Sequence, residues 1–371
     1  MRRTFLTALQ LAITAGILWF VFRDPAKRAE MFATLHQANP IWLLLGLAIY
    51  AVAEVGASVR WQLLLAVQGI HLPWSRVVSL VFIGLFFNFF IPGGTGGDAV
   101  KIFYLLKETQ GRRTAALLSV VVDRLLGLVA LVVLASTLIA LKWSWLTSTA
   151  ETARWVWIVL AVLVGSLVFL LMSVVLSNRH LVYRLPPRFP GRDKLAEIAL
   201  AYSLYGSKWR ISAAAFLISI GAHLAEYLTF YSAARALGGS LARLPSLPEF
   251  LSVMTIIGTI TSLPISLGGI GWREMLFETF LRDLCGISGG LAIAISSTGY
   301  LLMLAWGLVG GALYIAYRPS VHPRLRAMRD EVAAFEHEVA AEEMAHESEL
   351  RVKPRHPAPP SEDVSKTPAP P

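Results

Sequence analysis

The residues of this chain best placed to do chemistry are ionisable side chains lying inside long apolar runs. Glu54 sits deep in the run 41–59, and Asp123 and Arg124 lie about a third of the way into the run 114–141. Glu226 lies in the run 209–236, with His223 one turn earlier on the same helical face. A charge at the centre of a spanning helix costs about 3 kcal/mol on insertion scales, so each should face a partner or a watery cavity. Carboxylates and an imidazole in such a place can carry protons, which makes Glu54, Glu226 and His223 candidates for proton coupling. The plainer reading of each is an interhelical salt bridge or hydrogen bond that fixes packing.

Two glycine-rich stretches are the second signal. One is Pro92-Gly93-Gly94-Thr95-Gly96-Gly97-Asp98, with Asn88 just before it and Lys101 one turn beyond. The other is Pro264-Ile265-Ser266-Leu267-Gly268-Gly269-Ile270-Gly271-Trp272-Arg273-Glu274. Glycines let backbone amides approach a ligand and adopt positive φ. A helix starting just after such a turn offers free N–H groups and the positive end of its dipole, which suits an anion such as a phosphate headgroup. Lys101 and Arg273 would add the cation. Asp98 and Glu274 have a second role open to them, as helix caps.

Other chemistries lack their residues. No strand precedes either glycine cluster and no Lys-Ser/Thr follows, so neither is a nucleotide loop. There is no HExxH, no DxD-like metal pair near a membrane edge, and no soluble stretch long enough for a catalytic domain. The single cysteine, Cys285, excludes an internal disulfide, and no Cys/His cluster has metal spacing. The expectation is a protein that is not an enzyme, with no cofactor and no metal site.

The elements that position these residues follow from composition. Hydrophobic residues are 56% of the 371 and charged residues 15%, with a mean hydropathy of +0.61. Soluble domains carry roughly a quarter charged residues, so this is a polytopic membrane protein. The net charge of +9 sits largely in short loops, where it sets orientation rather than binding nucleic acid. Six apolar stretches reach the roughly 20 residues needed to span: 4–22, 41–59, 114–141, 155–176, 209–236 and 289–317. Two more, 75–107 and 249–283, are apolar but broken by proline and glycine.

Charge decides how the broken segments sit. If each crossed once, the loop 107–113 and the basic loop 178–210 would both lie outside, against the positive-inside rule. If each enters and leaves on one side, both loops and the termini become cytoplasmic. The fold class predicted is all-α, with six spanning helices and two re-entrant hairpins in a 4+4 inverted repeat over 1–318. Gly93-Gly94-Thr95-Gly96 matches Gly268-Gly269-Ile270-Gly271, and Ala53-Glu54 finds a counterpart in Ala225-Glu226. Inverted repeats with broken helices at mid-membrane are a recurrent transporter architecture. Residues 319–350 read as a cytoplasmic Ala/Glu-rich amphipathic segment, and 351–371 as a Pro-rich disordered tail that could recruit a partner protein or a second copy. His337 and His346 there read as solvated.

FFNFFIPGGTGGDAVKIFYLL (86–106), VVVDRLLGL (120–128) and LPISLGGIGWRE (263–274) resemble the lysylphosphatidylglycerol synthase transmembrane-region family, also called flippase-like or UPF0104. The likeness spans roughly 4–318. It implies movement of a phospholipid, or another anionic or isoprenoid-type lipid, between inner-membrane leaflets of a bacterium, without the aminoacyl-transferase domain of the best-understood relatives. By motif position it carries over Asn88, Pro92, Gly93, Gly94, Gly97, Asp98, Asp123, Arg124, Gly268, Gly269, Gly271, Arg273 and Glu274 as cavity residues. Membrane lipids are the partners expected. The competing readings are a carrier of small polar solutes and a non-transporting membrane anchor or assembly factor.

Overall fold

A computed structural model of the chain describes residues 19, 24–91, 96–108, 113–176, 199, 202–238, 244–263 and 269–316. The expected first span (4–22, Trp19 apart), the tip residues Pro92, Gly93, Gly94 and Gly268, most of the loop 178–210 and everything after 316 lie outside these residues.

All regular elements among the described residues are helices. Five are long and apolar enough to cross a membrane: α2 (Pro40–Val67), α5 (Arg113–Leu141), α7 (Ala150–Leu176), α8 (Trp209–Leu237) and α11 (Gly289–Ala316). They coincide with five of the six expected spans. The second differs at one end. The apolar run stops at Arg60, yet the helix carries on to Val67, because Arg60 finds its counter-charge inside the protein.

Each broken segment is a pair of shorter helices. The first is α3 (Trp74–Phe90) followed by α4 (Gly96–Glu108), and the second is α9 (Leu247–Thr261) followed by α10 (Trp272–Cys285). Seventeen residues of α3 make about 25 Å of helix, short of the roughly 30 Å hydrocarbon. In the first pair, Gly84 meets Gly97 and Lys101, while Asn88, nearer the break, meets Gly97. The two arms therefore run antiparallel. A Cβ on Gly97 would sit 2.0 Å from the Gly84 carbonyl oxygen, so only glycine permits this approach. Two short helices complete the described part: α1 (Pro25–His36), capped by Asp24 through a 2.9 Å hydrogen bond from Ala26 N–H, and α6 (Trp143–Leu146).

The packing is reciprocal between the halves. α2 and α8 form the most extensive helix pair, at the centre of the molecule. The first arm of each broken segment crosses to the other half: α3 lies on α11 and α9 on α5. The second arm stays at home, α4 on α5 and α10 on α11. The α3–α11 contact is a backbone one, since a Cβ on Gly310 would lie 1.9 Å from the Phe82 carbonyl oxygen. Apolar core divides accordingly. One cluster, including Trp61, Leu80, Ile83 and Tyr104, surrounds the first pair, and another, including Phe250, Ile256, Phe277 and Phe280, surrounds the second. Large apolar side chains on α7, such as Val168, Phe169 and Leu171, face outward, as lipid contact requires.

Candidate functional site

A cavity of about 470 Å³ lies where the central pair meets the first broken segment. Glu54, Ala57 and Arg60 line it from α2, Leu85 and Asn88 from α3, and Lys101 from α4. α5 contributes Asp123, Arg124 and Gly127, and α8 contributes Ser219, His223 and Glu226. Ser262, at the end of α9, brings the second broken segment to its wall.

Two of the three cations are already held. Arg60 makes a bidentate pair with Asp123, Nε to Oδ1 at 2.7 Å and Nη2 to Oδ2 at 3.0 Å. Its Nη1 donates to Ser219 Oγ at 3.0 Å, and that hydroxyl donates onward to the Ala215 carbonyl. Arg124 makes a second bidentate pair with Asp98 in the first turn of α4, at 2.6 and 2.8 Å. Forked arginine–carboxylate pairs of this kind are the strong ones, and each here joins two helices. Asp123 and Arg124 are neighbours in sequence but point about 100° apart on their helix, so they serve different partners.

Lys101 is the exception. It is 9% exposed and lines the cavity, and its Nζ lies 5.3 Å from the centroid of the Trp61 ring. Among the described residues no carboxylate comes within ion-pair distance of it. Gly84 makes room for its stem, since a Cβ there would meet Lys101 Cε at 3.0 Å. Asn88 fixes the start of the same arm by accepting from Gly97 N–H at 2.9 Å.

The opposite wall is acidic. Glu54 has the Tyr50 hydroxyl one turn away and no cation within ion-pair distance among the described residues. Glu226 has one ion-pair contact among the described residues, His223, whose Nδ1 lies 4.0 Å from its Oε2. The other ring nitrogen, Nε2, is 3.1 Å from the Gly127 carbonyl oxygen.

The second glycine stretch builds a different centre. Gly269 and Gly271 take φ of +76° and +88° and lead into α10. Glu274 caps that helix by accepting from Gly271 N–H at 2.7 Å, and it also accepts from Ser296 Oγ at 3.0 Å. Arg273 is 6% exposed, its guanidinium 4.0 Å above the Tyr300 ring and its Nε 3.5 Å from Glu274 Oε1. The cavity thus gathers Asn88, Lys101, Asp123, Arg124, Glu54, His223 and Glu226. Gly97 and Asp98 support it from behind, and Gly269, Gly271, Arg273 and Glu274 are not in its lining.

Three features escape a reading of the sequence. The apolar run 41–59 stops just short of Arg60, and Ser219 is one small polar residue within the run 209–236. The only signal for either was Asp123, a buried carboxylate needing a donor. The third is Gly286-Ile287-Ser288-Gly289-Gly290, which spells the G-x-S-x-G pattern of a hydrolase nucleophile. It joins two helices rather than a strand and a helix, and Ser288 donates to Glu30.

The family model described as lysylphosphatidylglycerol synthase TM region matches residues 7–311. A UPF0104 membrane protein of Pyrococcus horikoshii is 25% identical over 348 residues, which is 86% of this chain and 98% of that protein. UPF0104 membrane proteins of Methanocaldococcus jannaschii and Methanothermobacter thermautotrophicus are 25% identical over 126 residues and 29% over 111. These matches cover 34% and 30% of this chain, and 36% and 30% of those proteins.

Proposed function

This chain belongs to the lysylphosphatidylglycerol synthase TM-region family, and from that premise we propose that it carries an anionic lipid between membrane leaflets, with the headgroup phosphate on Lys101. The observation that carries the reading is Lys101 itself. A buried ammonium without a carboxylate is costly, and a transient anion is the ligand that offsets the cost. The surrounding arginines cannot neutralise it, and their fixed pairs with Asp98 and Asp123 hold α4 and α2 against α5 so that the lysine keeps its place. The acyl chains would remain in the bilayer outside the apolar faces.

Movement follows from the reciprocal packing. We read the two broken segments as re-entrant hairpins in an inverted repeat, because each first arm leans on the other half and each second arm on its own. Rocking one half against the other would expose the α2–α8 seam to each leaflet in turn. We read the basic loops as cytoplasmic, which would put both termini inside and the chain in a bacterial inner membrane. No step of this reading makes or breaks a covalent bond, so we propose a carrier and not an enzyme.

Reconstitution tests it. Proteoliposomes containing fluorophore-tagged phosphatidylglycerol should lose more than the outer-leaflet half of their signal to an impermeant quencher. Lys101→Met should slow this by about tenfold to a hundredfold, the worth of one charge-assisted hydrogen bond. If tagged lipid stays put while the same vesicles take up radiolabelled inorganic phosphate, the protein is a solute carrier and the lipid reading fails.

A further inference from the structure

A second feature of the cavity is an arrangement that lacks a proton. The Gly127 carbonyl can only accept, so the His223 Nε2 facing it at 3.1 Å must carry the ring hydrogen. In the neutral imidazole that leaves a bare lone pair on Nδ1. This lone pair faces Glu226 Oε2 at 4.0 Å, and a carboxylate also only accepts. Two acceptors thus stand 4.0 Å apart at the cavity wall, and one added proton would let the side chains close by about 1 Å into a charge-assisted hydrogen bond.

The charges around this pair explain when the proton would come. The cavity's cations are Arg60, Lys101 and Arg124, and its carboxylates are Glu54, Asp123 and Glu226, with Asp98 bound to Arg124 from behind. Two matched pairs leave one cation, Lys101, against two carboxylates, Glu54 and Glu226. Among the described residues four elements pack on α8: α2, α5, α9 and α11. α2 presents Tyr50, Glu54 and Arg60, and α5 presents Asp123 and Arg124. α11 presents Tyr300, and α9 presents Ser262 but no charged side chain at the cavity. Arg273 of α10, outside the lining, acts on Glu226 through space, but its ion pair is with Glu274 at 3.5 Å and its guanidinium lies over Tyr300. Tyr227 lies next to Glu226 on α8 itself. Among the described residues no lysine or arginine comes within ion-pair distance of either glutamate. An anion arriving on Lys101 removes the last unmatched positive charge and adds negative charge to the same space.

We propose that anion binding at Lys101 is linked to uptake of one proton by the Glu226–His223 pair, so that the carrier moves an anion together with a proton. The idea rests on the reading of Lys101 as the anion site. Linkage fixes the sign: whatever makes the anion bring a proton also makes the proton favour the anion, so affinity rises as pH falls.

Two measurements separate this idea from the one beneath it. The first is calorimetric titration of the detergent-solubilised full chain with glycerophosphoglycerol, a phosphodiester with no ionisation of its own near neutral pH, in two buffers of different ionisation enthalpy. About one proton should be taken up per anion bound, and affinity should change by about tenfold per pH unit where the pair titrates. Glu226→Gln should bind the anion with no proton uptake and a flat pH profile, and Lys101→Met should not bind it. The second is tagged-lipid movement in proteoliposomes under an imposed pH gradient, expected to speed up on acidifying the side of entry. Binding or movement that ignores pH in the wild-type chain overturns the proton linkage and leaves the lipid reading standing. Binding that survives in Lys101→Met overturns the anion site, and the linkage with it. Because the wild-type titration decides the matter by itself, a Glu226→Gln chain that fails to fold does not protect the proposal.

Discussion

At the residue scale, the cavity shows why membrane carboxylates and arginines occur in pairs. Arg60 and Asp123 expose 13% and 6% of their side chains, so either alone would be a charge stranded in low dielectric. Asp123→Asn should therefore destabilise the protein by about 3–5 kcal/mol, seen as a large drop in thermal midpoint in detergent. The double change Arg60→Met with Asp123→Leu should recover most of that loss, since similar volume is restored without charge. A double variant no more stable than the single one would mean that the pair holds the helices by geometry alone. Arg124 and Asp98 should respond more weakly, because the arginine side chain is 53% accessible.

At the element scale, the first broken segment stays together through backbone contact. Gly97 faces the Gly84 carbonyl, whereas Gly165 on α7 has open space around it. Gly97→Ala should cost about 1–3 kcal/mol through overpacking and pull Lys101 out of register. Gly165→Ala should be neutral or stabilising by up to about 1 kcal/mol, since alanine favours helix. Thermal unfolding of the two variants side by side makes the comparison. Equal midpoints would show that the arms separate easily and that the close approach is not required. The second segment starts its helix through the Glu274 carboxylate, so Glu274→Ala should cost about 1 kcal/mol for the cap, and more for the stranded Ser296 and Arg273.

At the scale of the whole molecule, orientation is the testable quantity. Single cysteines at Gln110 and Pro190, in a Cys285→Ser background, should resist an impermeant thiol reagent in intact cells and react once the cells are opened. A cysteine at Ser148, an exposed position at the other end of the bundle, should react in intact cells. Labelling of position 110 or 190 from outside would mean that the broken segments cross once. The reciprocal packing of α3 on α11 and α9 on α5 would then lose its reading as an inverted repeat.

The sequence alone determined the membrane class, five of the spans, both breaks and most of the cavity's ionisable residues. Each of those is written in local composition: hydropathy over some twenty residues, glycine and proline at a break, a carboxylate where none should be. It did not determine who pairs with whom. Asp123 and Arg124 stand side by side in the chain, but helical rotation sends one to Arg60 and the other to Asp98. Arg60 read as the edge of a span because its counter-charge lies sixty-three residues away. Arg273 read as a second cation for the ligand, but the tertiary fold sets it beside Glu274 and Tyr300, outside the cavity lining. Pairing, and with it the identity of the cavity-lining cation left without an ion pair, depends on distances between helices, and only the tertiary structure sets those distances.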